Sequence, residues 1–128
     1  MVNLALDLLD LNSEDLVLDA FCGIGNFSLP LARRSGTVLG IEGEKTLVAR
    51  AAENAQKNGL SNVEFRVADL SKIDGTEPWV KAGWDRVLLE AARSGAAEVV
   101  SRMKLLNPER IVYVSCHPGT LARDAATL

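Results

Sequence analysis

Short apolar runs alternate with longer segments of helical pattern along this chain. An amphipathic stretch over residues 4–11 comes first, and the apolar runs Leu16–Ala20 and Thr37–Glu42 then predict the first two strands. Residues 27–34 between them predict a helix that accommodates Pro30, because N–H groups in a first turn have no partner within the helix. This alternation is typical of parallel strands connected by helices.

The alternation continues to the end of the chain. Residues 44–58 are rich in alanine and predict a helix that ends before Gly59, and Val63–Val67 predicts the third strand. Residues 69–83 form a polar connection in which a short helix is expected near residues 78–81. Four further elements are predicted: a strand over residues 85–89, a helix over 96–106 closed by Pro108, a strand over 110–115 and a helix that begins at Pro118.

These elements predict one α/β domain with a doubly wound parallel sheet and helices on both faces, a three-layer αβα arrangement. The reason is that strand–helix–strand units are right-handed and return to the same sheet. Only one predicted helix follows the fifth strand, so we expect that the carboxyl-terminal strands are missing and that residues 1–128 are a fragment of a larger protein. The apolar edge left behind could associate with another chain.

Composition limits the class of protein. The 128 residues are 48% hydrophobic and 24% charged, as in a globular domain. The apolar runs are too short to span a membrane and no signal peptide is recognisable, so we expect a cytoplasmic protein. Two cysteines and the single histidine, His117, are too few for a disulfide framework or a closed zinc site, and we expect no metal.

The net charge of −3 bears on any interaction with nucleic acid. Affinity for phosphate backbones comes largely from clustered Lys and Arg, and this sequence has no such cluster. If the substrate is RNA, binding must come from a domain outside this chain or from a local patch that four arginines form in the folded protein. Those arginines are Arg93, Arg102, Arg110 and Arg123.

A glycine-containing loop follows the first predicted strand. Gly23 and Gly25 would let a ligand approach the backbone amides closely, whereas Ser28 replaces the third glycine of a dinucleotide motif. Two glycines alone are explained equally well by a tight turn. Glu42 ends the second strand 23 positions after Asp19, close to the spacing of about 20 at which a carboxylate accepts hydrogen bonds from ribose hydroxyls. The combination predicts a nucleotide-type site at the carboxyl edge of the sheet.

Three other residues belong to the same predicted edge. Asp69 follows the third strand and is a candidate for contact with an adenine amino group or for capping a turn. Cys22 lies in the glycine loop and is interpreted as a small packing residue. Cys116 follows the fifth strand, where a thiol could attack a substrate. The alternative for Cys116 is a buried structural cysteine, since free cysteines are among the most buried residue types.

Three segments together resemble the catalytic domain of RNA uracil-5-methyltransferases, and the large-subunit ribosomal RNA branch in particular. The resemblance covers nearly the whole chain and implies a class I, Rossmann-like methyltransferase fold, S-adenosylmethionine as cofactor and ribosomal RNA as partner. The segments are Asp19-Ala20-Phe21-Cys22-Gly23-Ile24-Gly25-Asn26-Phe27, Asp85-Arg86-Val87-Leu88-Leu89-Glu90-Ala91-Ala92-Arg93-Ser94-Gly95 and Ile111-Val112-Tyr113-Val114-Ser115-Cys116-His117-Pro118-Gly119-Thr120-Leu121-Ala122-Arg123-Asp124.

The resemblance also implies roles for individual residues. Glu42 would bind the ribose of the cofactor, Asp69 would lie near its adenine and Glu90 near its methionine end. Cys116 would attack C6 of the uracil ring, which makes the weakly nucleophilic C5 able to accept a methyl group. The residues implied to line the cofactor are Phe21, Gly23, Gly25 and Asn26.

The sequence departs from the family pattern in three ways. Glu90-Ala91-Ala92-Arg93 stands where the family has Asp-Pro-x-Arg, which bears on cofactor affinity, and His117 replaces the Asn of the nucleophile motif. The family's general base, a later glutamate, has no counterpart, so we expect little turnover from this chain alone. Two alternatives stay open: a cofactor-binding module or degenerate methyltransferase without catalysis, and a methyltransferase acting on exocyclic amines of bases, whose fourth motif residues 90–93 do not match.

Overall fold

Five parallel strands form the sheet at the centre of the structure, a computed structural model that describes residues 2–69, 72–80, 82–90 and 103–114. The strands are β1 (Leu16–Ala20), β2 (Thr37–Glu42), β3 (Val63–Val67), β4 (Arg86–Glu90) and β5 (Arg110–Val114). They lie in the order β3-β2-β1-β4-β5, and every neighbouring pair is parallel. The predicted doubly wound parallel sheet is therefore confirmed.

One helix precedes β1, and helices connect β1 to β2, β2 to β3 and β4 to β5, as the sequence predicts. They are α1 (Val2–Leu9), α2 (Ser28–Arg34), α3 (Lys45–Lys57) and α4 (Met103–Leu106). The predicted bounds of β1, β2 and β3 agree with the structure, whereas β4 begins one residue later than predicted and includes Glu90, and β5 begins as predicted at Arg110 and extends to the last described residue, Val114. Pro30 occupies the first turn of α2, where its missing N–H costs no helical hydrogen bond.

The central strands β1, β2 and β4 are buried on both faces, which explains why they appear in the sequence as apolar runs, whereas the edge strand β3 alternates apolar and exposed charged residues. Side chains of β1 alternate between two clusters, with Val17 on one face and Leu18 and Ala20 on the other. The first face is covered by α1 and α2, through residues that include Leu6 and Leu31. Residues that cover the second face come from the connection before β4 and from α4: Ile73, Val80, Trp84 and Leu106.

The end of α3 shows how local sequence fixes a boundary. Gly59 adopts a φ of +68°, and its N–H donates to the Gln56 carbonyl at 3.1 Å. The N–H of Leu60 donates to the Ala55 carbonyl, also at 3.1 Å. This pair of bonds is the Schellman arrangement, in which a glycine takes the left-handed conformation just past the helix. The predicted stop at Gly59 is therefore confirmed.

The short helix predicted near residues 78–81 is wrong for the part that is described, because residues 78–80 form a turn. Side chains just before it bond to the backbone and favour turns over a helix. Asp74 accepts from the N–H of Thr76 at 2.9 Å, and Glu77 accepts from the N–H of Gly75 at 3.1 Å. The indole N–H of Trp84 then donates to the carbonyl of Trp79 at 2.9 Å, which holds the turn against the sheet.

Several predictions fall outside the described residues. They concern Cys116 and His117, the residues that follow Glu90 in the fourth motif, the helix expected from Pro118 and the first part of the helix over 96–106. The described end of that last helix is α4, which is followed by Asn107 with a φ of +47° and by Pro108. Within the described ranges, no helix has the length and apolar character needed to cross a membrane.

Candidate ligand-binding site

The candidate site lies where the strands end, on both sides of the central strand. Strand β1 pairs with β2 on one side and with β4 on the other. The chain runs from β1 outward to β2 and β3, and then crosses to the other side of β1 to form β4 and β5. Ligands of open α/β sheets bind at such a switch point, outside the carboxyl ends of the strands. The glycine loop follows β1 at this point, and Glu42 ends the neighbouring strand.

The loop after β1 turns sharply and is held by its own backbone. Phe21 has a φ of +61°, a strained conformation for a residue with a side chain, and such strain concentrates at functional sites. The N–H of Cys22 donates to the Ile41 carbonyl at 2.9 Å, which ties the loop to β2. The N–H of Gly25 donates to the Cys22 carbonyl at 2.9 Å. The sequence did not predict the conformation of Phe21.

The two glycines of the loop serve different purposes. Gly23 has a φ of +57° and no atom within 4 Å of the position a Cβ would take, so its backbone faces open space. Gly25 has a φ of +92°, and a Cβ there would touch Phe65 at 3.5 Å and Ala51 at 3.6 Å. Gly23 therefore leaves room for a ligand, whereas Gly25 lets the loop pack against β3 and α3.

Glu42 joins the loop after β1 to the loop after β2. One carboxylate oxygen, Oε1, accepts a hydrogen bond from the N–H of Gly23 at 3.3 Å. The other, Oε2, accepts from the N–H of Glu44 at 2.9 Å. The side chain is half-buried, so the carboxylate is fixed in direction and still accessible to a ligand.

A cavity of about 490 Å³ adjoins this carboxylate, a volume within the range of small-molecule sites. Its lining residues are Phe21, Glu42, Gly43, Val67, Ala68 and Asp69. Phe21 and Ala68 also pack against the buried cluster on one face of the sheet, so the apolar wall continues into the core. Val67 is 48% exposed, unusual for a valine on a strand, and faces the cavity.

The predicted site residues divide into groups in the structure. Phe21, Glu42 and Asp69 line the cavity, and the N–H of Gly23 bonds to the Glu42 carboxylate beside it. Gly25 packs inward, and Asn26 is exposed beside the loop. Glu90 ends β4, where its Cα pairs with that of Val114 at the end of β5. Cys116 follows Val114 by two residues and lies outside the described residues.

Asp69 is exposed at the rim of the cavity. Its carboxylate lies 3.9 Å from the ammonium of Lys72, and its carbonyl accepts the N–H of Lys72 at 3.0 Å. The main chain of Asp69 thus closes a turn and its carboxylate is exposed, so the turn-capping role and the ligand contact both stay predictions.

A buried pair explains the serine that replaces the third glycine. Asp19 and Ser28 are both fully buried, and the Ser28 hydroxyl donates to Asp19 Oδ2 at 2.5 Å. This bond connects the last part of β1 to the first residue of α2, which closes the base of the loop. The sequence reasoning missed this role, although a serine beside a helix start is a common bonding partner.

Cys22 is buried beneath the loop, with 4% of its surface exposed. Burial first, and then the negative charges of Asp19 and Glu42, together raise the pKa of its thiol to about 12. The interpretation of Cys22 as a packing residue is confirmed. A thiol with this pKa stays protonated at neutral pH and is a poor nucleophile.

Two polar residues take positions that the sequence did not predict. The amide of Asn54 in α3 donates to the carbonyl of Ile24 in the glycine loop at 3.2 Å. Arg110, one of the arginines considered for RNA binding, begins β5 and donates to the Leu8 carbonyl at 3.1 Å. It therefore lies at the edge of the sheet opposite the cavity. Among the described residues, no cluster of His, Cys, Asp or Glu has the arrangement of a metal site.

Comparison with known proteins places this arrangement in a family. A family model described as "Methyltransferase domain" matches residues 11–120. The chain is 55% identical over 128 residues to the 23S rRNA (uracil(1939)-C(5))-methyltransferase RlmD of Stenotrophomonas maltophilia, with 100% of this chain and 29% of that protein covered. It is 57% identical over 125 residues to the protein of the same name from Xylella fastidiosa, with 98% and 28% covered. The chain thus spans less than a third of these relatives.

Two solved structures have folds similar to that of this chain. The Pyrococcus abyssi tRNA (uracil-54, C5)-methyltransferase, in complex with S-adenosyl-L-homocysteine, matches with a TM-score of 0.80 and 31% identity, covering 98% of this chain and 31% of that chain. The Bacillus protein YcgJ matches with a TM-score of 0.72 at 20% identity, covering 82% and 44%, and shows the fold alone. These similarities confirm the resemblance first seen in the motifs. Since the family model matches residues 11–120, most of this chain, the chain belongs to the methyltransferase domain family and has the class I, Rossmann-like fold.

Proposed function

We propose that this chain is the cofactor-binding and nucleophile-bearing part of an enzyme that methylates C5 of a uridine in RNA, with S-adenosylmethionine as cofactor. Ribosomal RNA is the proposed substrate. The proposal is supported by the three sequence motifs, by relatives named as 23S rRNA uracil-C5-methyltransferases, and by a solved uracil-C5-methyltransferase of similar fold.

The observation that carries the cofactor assignment is the position of Glu42. Its carboxylate is held by the N–H groups of Gly23 and Glu44 and borders the cavity. A carboxylate at the end of the second strand accepts hydrogen bonds from the two hydroxyls of a ribose. We assign the ribose to Glu42, and the adenine to the side of the cavity with Val67, Ala68 and Asp69.

The charge at the glycine loop fits the same cofactor. Two carboxylates, Asp19 and Glu42, lie at this loop and make the local potential negative. A negative potential stabilises a cationic ligand and disfavours an anionic one. When bound, S-adenosylmethionine supplies an electrophilic methyl group on a positively charged sulfonium. The potential therefore favours this cofactor over a dinucleotide with its pyrophosphate, in agreement with the missing third glycine.

Phe21, Gly23, Gly25 and Asn26 have different tasks in this proposal. Phe21 forms part of the apolar wall, and Gly23 both orients Glu42 and leaves open space. Gly25 acts through packing, since it lets the loop lie against α3. From the motifs alone, we assign Asn26, exposed beside the loop, to the lining of the cofactor site, and Glu90, at the end of β4, to the methionine end of the cofactor.

Cys116 is the proposed nucleophile. Its thiolate forms a bond to C6 of the uracil; the pair of the C5–C6 double bond forms a C4–C5 double bond, and the pair of the C4 carbonyl moves to its oxygen, which gives an enolate that is nucleophilic at C5. The methyl group would pass from the sulfonium to C5 and leave S-adenosylhomocysteine as the neutral thioether, and a base then removes the C5 proton. The C5–C6 double bond then re-forms and the thiolate leaves C6. In folded RNA the target uracil must first be unstacked from its neighbours, at a cost of a few kcal/mol.

The chain's other cysteine offers a matched control. Cys22 is buried and its thiol has a pKa of about 12, so it cannot supply a thiolate at neutral pH. Within residues 1–128, any covalent adduct that depends on a cysteine should therefore depend on Cys116. Substituting each cysteine in turn shows which of the two thiols forms the adduct.

The first experiment measures cofactor binding by titration calorimetry of the chain with S-adenosylhomocysteine. We expect a 1:1 complex with a dissociation constant below about 100 μM. NADH serves as the competing nucleotide and should not bind measurably. Failure to bind S-adenosylhomocysteine would contradict the cofactor assignment.

The second experiment tests the reaction. The protein, expressed from its full reading frame, is incubated with S-adenosylmethionine and an RNA containing 5-fluorouridine. Fluorine replaces the C5 proton that the catalytic base would remove, so the covalent adduct persists. We expect a covalent protein–RNA band with the wild type and with Cys22→Ser, and none with Cys116→Ser. An adduct formed by Cys116→Ser would refute the nucleophile, and methylation of an exocyclic amine would favour the alternative enzyme class.

A further inference from the structure

We propose that Asn54 is a positioning residue for the cofactor site, because it fixes the Ile24–Gly25 peptide of the glycine loop from outside the loop. The proposal rests on the proposed function, in which this loop borders the cofactor. Asn54 lies on α3, about 30 residues away along the chain, and belongs to none of the motifs that identify the family segments.

Asn54 reaches the loop from a helix that is firmly packed. Its Nδ2 donates to the Ile24 carbonyl at 3.2 Å. Ala51 and Ala55, three residues before and one after, are buried at 0% and 4% exposure. Residues three or four apart share one face of a helix, so Asn54 lies beside the face that α3 buries. The side chain itself is half-buried.

The next residue of the loop rests on the same helix. A Cβ on Gly25 would lie 3.6 Å from the Cβ of Ala51 and 3.5 Å from Phe65. The loop therefore meets α3 through an apolar contact at Gly25 and a polar contact at Ile24, in consecutive residues.

Two hydrogen bonds fix this peptide from opposite sides. The Ile24 carbonyl and the Gly25 N–H belong to one trans peptide and point in opposite directions. The carbonyl accepts from Asn54, and the N–H donates to the Cys22 carbonyl at 2.9 Å. Rotation of the peptide plane would break both bonds at once. Asn54 thus opposes the rotation that glycines otherwise permit.

The fixed peptide adjoins the group that orients Glu42. Gly23 precedes Ile24, and its N–H donates to Glu42 Oε1. Without the Asn54 bond, the loop samples more conformations, and ligand binding must select the competent one. We therefore expect that Asn54 acts on affinity for the cofactor while touching neither the cofactor nor the cavity.

Asn54→Asp tests this with an isosteric change. A carboxylate cannot donate to the Ile24 carbonyl and is repelled by it. We expect the dissociation constant for S-adenosylhomocysteine to rise about 3- to 10-fold, the factor that corresponds to the loss of one hydrogen bond. In the free chain, the amide hydrogen of Gly25 should exchange with solvent faster by at least the same factor. Asn54→Ala should give the same two results without a new charge.

Asn58→Asp is the matched control. Asn58 lies at the end of α3, is exposed and donates to the Asn54 carbonyl at 2.8 Å. The new charge at a helix carboxyl terminus should lower the melting temperature slightly. Affinity for S-adenosylhomocysteine and Gly25 exchange should match the wild type. A loss of stability alone is thereby distinguished from a loss of positioning.

The outcomes separate the two proposals. If the wild-type chain does not bind S-adenosylhomocysteine, the proposed function fails, and Gly25 exchange still decides whether Asn54 fixes the loop. If the wild type binds and both Asn54 variants bind equally well with unchanged Gly25 exchange, the positioning role is refuted.

Discussion

At the amino edge of the sheet, where the strands begin, charged side chains bond to the backbone of neighbouring elements, whereas at the carboxyl edge acidic side chains surround a cavity. Asp85 accepts from the N–H of Leu16 at 2.8 Å, and Arg86 Nε donates to the Leu9 carbonyl at 2.7 Å. Glu42 and Asp69 instead border open space. Charged groups at both edges bond to the backbone, but only at the carboxyl edge does a carboxylate held in this way, that of Glu42, also border the cavity beside the glycine loop.

The amino edge is closed mainly around the end of α1. Arg86, whose side chain is only 12% exposed, also bonds to Glu109 at 2.9 Å and reaches the Asp10 carbonyl at 3.5 Å. Arg110 donates to the Leu8 carbonyl. Helix carboxyl termini leave carbonyls without partners and attract cations, so two arginines are well suited to this position. This is also why Arg110 does not contribute a basic surface beside the cavity.

The largest expected effect comes from Arg86→Ala. Removing a side chain that bonds to the carbonyls of Leu9 and Asp85 should lower the free energy of unfolding by about 3 kcal/mol. Denaturation in urea measures it. Affinity for S-adenosylhomocysteine should not change when measured well below the melting temperature. Arg33→Ala is the control, because Arg33 is exposed and bonds only weakly, to Asn58 at 3.4 Å. A weakened affinity in Arg86→Ala would break the contrast between the edges.

Gly40→Ala should act on both properties, because Gly40 lies beneath the glycine loop. A Cβ there would be 2.7 Å from Phe65 and 3.0 Å from the sulfur of Cys22. We expect a loss of about 2 kcal/mol in the free energy of unfolding from overpacking, together with weaker binding of S-adenosylhomocysteine. Gly43→Ala, with no atom within 4 Å of its Cβ position, should leave stability nearly unchanged. Equal stability of the two variants would show that the contact at Gly40 relaxes freely.

Glu42→Gln should weaken binding while sparing the fold. The amide replaces one of two accepting oxygens, so either the bond from Gly23 or the bond from Glu44 is lost. We expect affinity for S-adenosylhomocysteine to fall about tenfold, with a small change in melting temperature. Glu44→Gln removes the same charge but keeps the Glu44 N–H that bonds to Glu42. If both variants bind alike, Glu42 matters only through overall charge.

The smallest expected effect is the pH dependence caused by Cys22. Its thiol has a pKa of about 12 in the folded chain and an ordinary value of 9.0. Between these values the unfolded chain releases the proton and the folded chain retains it, so stability falls as pH rises. The expected contribution is about 1 kcal/mol between pH 9 and pH 10. Cys22→Ala should show a correspondingly shallower decline in urea denaturation. A parallel decline in both proteins would contradict the assigned pKa.

The centre of the sheet could be predicted because strands buried on both faces leave apolar runs, and β3 could be predicted from its alternation of apolar and charged residues. Helix ends were predictable where one residue determines them, as Gly59 does for α3. The turn at 78–80 was not, because it depends on bonds from Asp74 and Glu77 to nearby N–H groups that compete with the helix.

The candidate site divides in the same way. Glu42 could be predicted from its spacing, since the position of a carboxylate at the end of a strand follows from the fold. Ser28 and Asn54 could not, because each partner lies elsewhere in the chain, at Asp19 and Ile24 respectively. A polar residue on a helix has the same sequence pattern whether its amide meets water or a distant carbonyl.

The arginines that cap α1 also set an order of events during synthesis. Arg86 and Arg110 follow the carbonyls they bind by 77 and 102 positions. At translation rates of about 5 to 20 residues per second, the first helix emerges from the ribosome several seconds before its caps exist. Until β4 and β5 have been made, the nascent chain exposes the apolar side of that helix, where chaperones would find it.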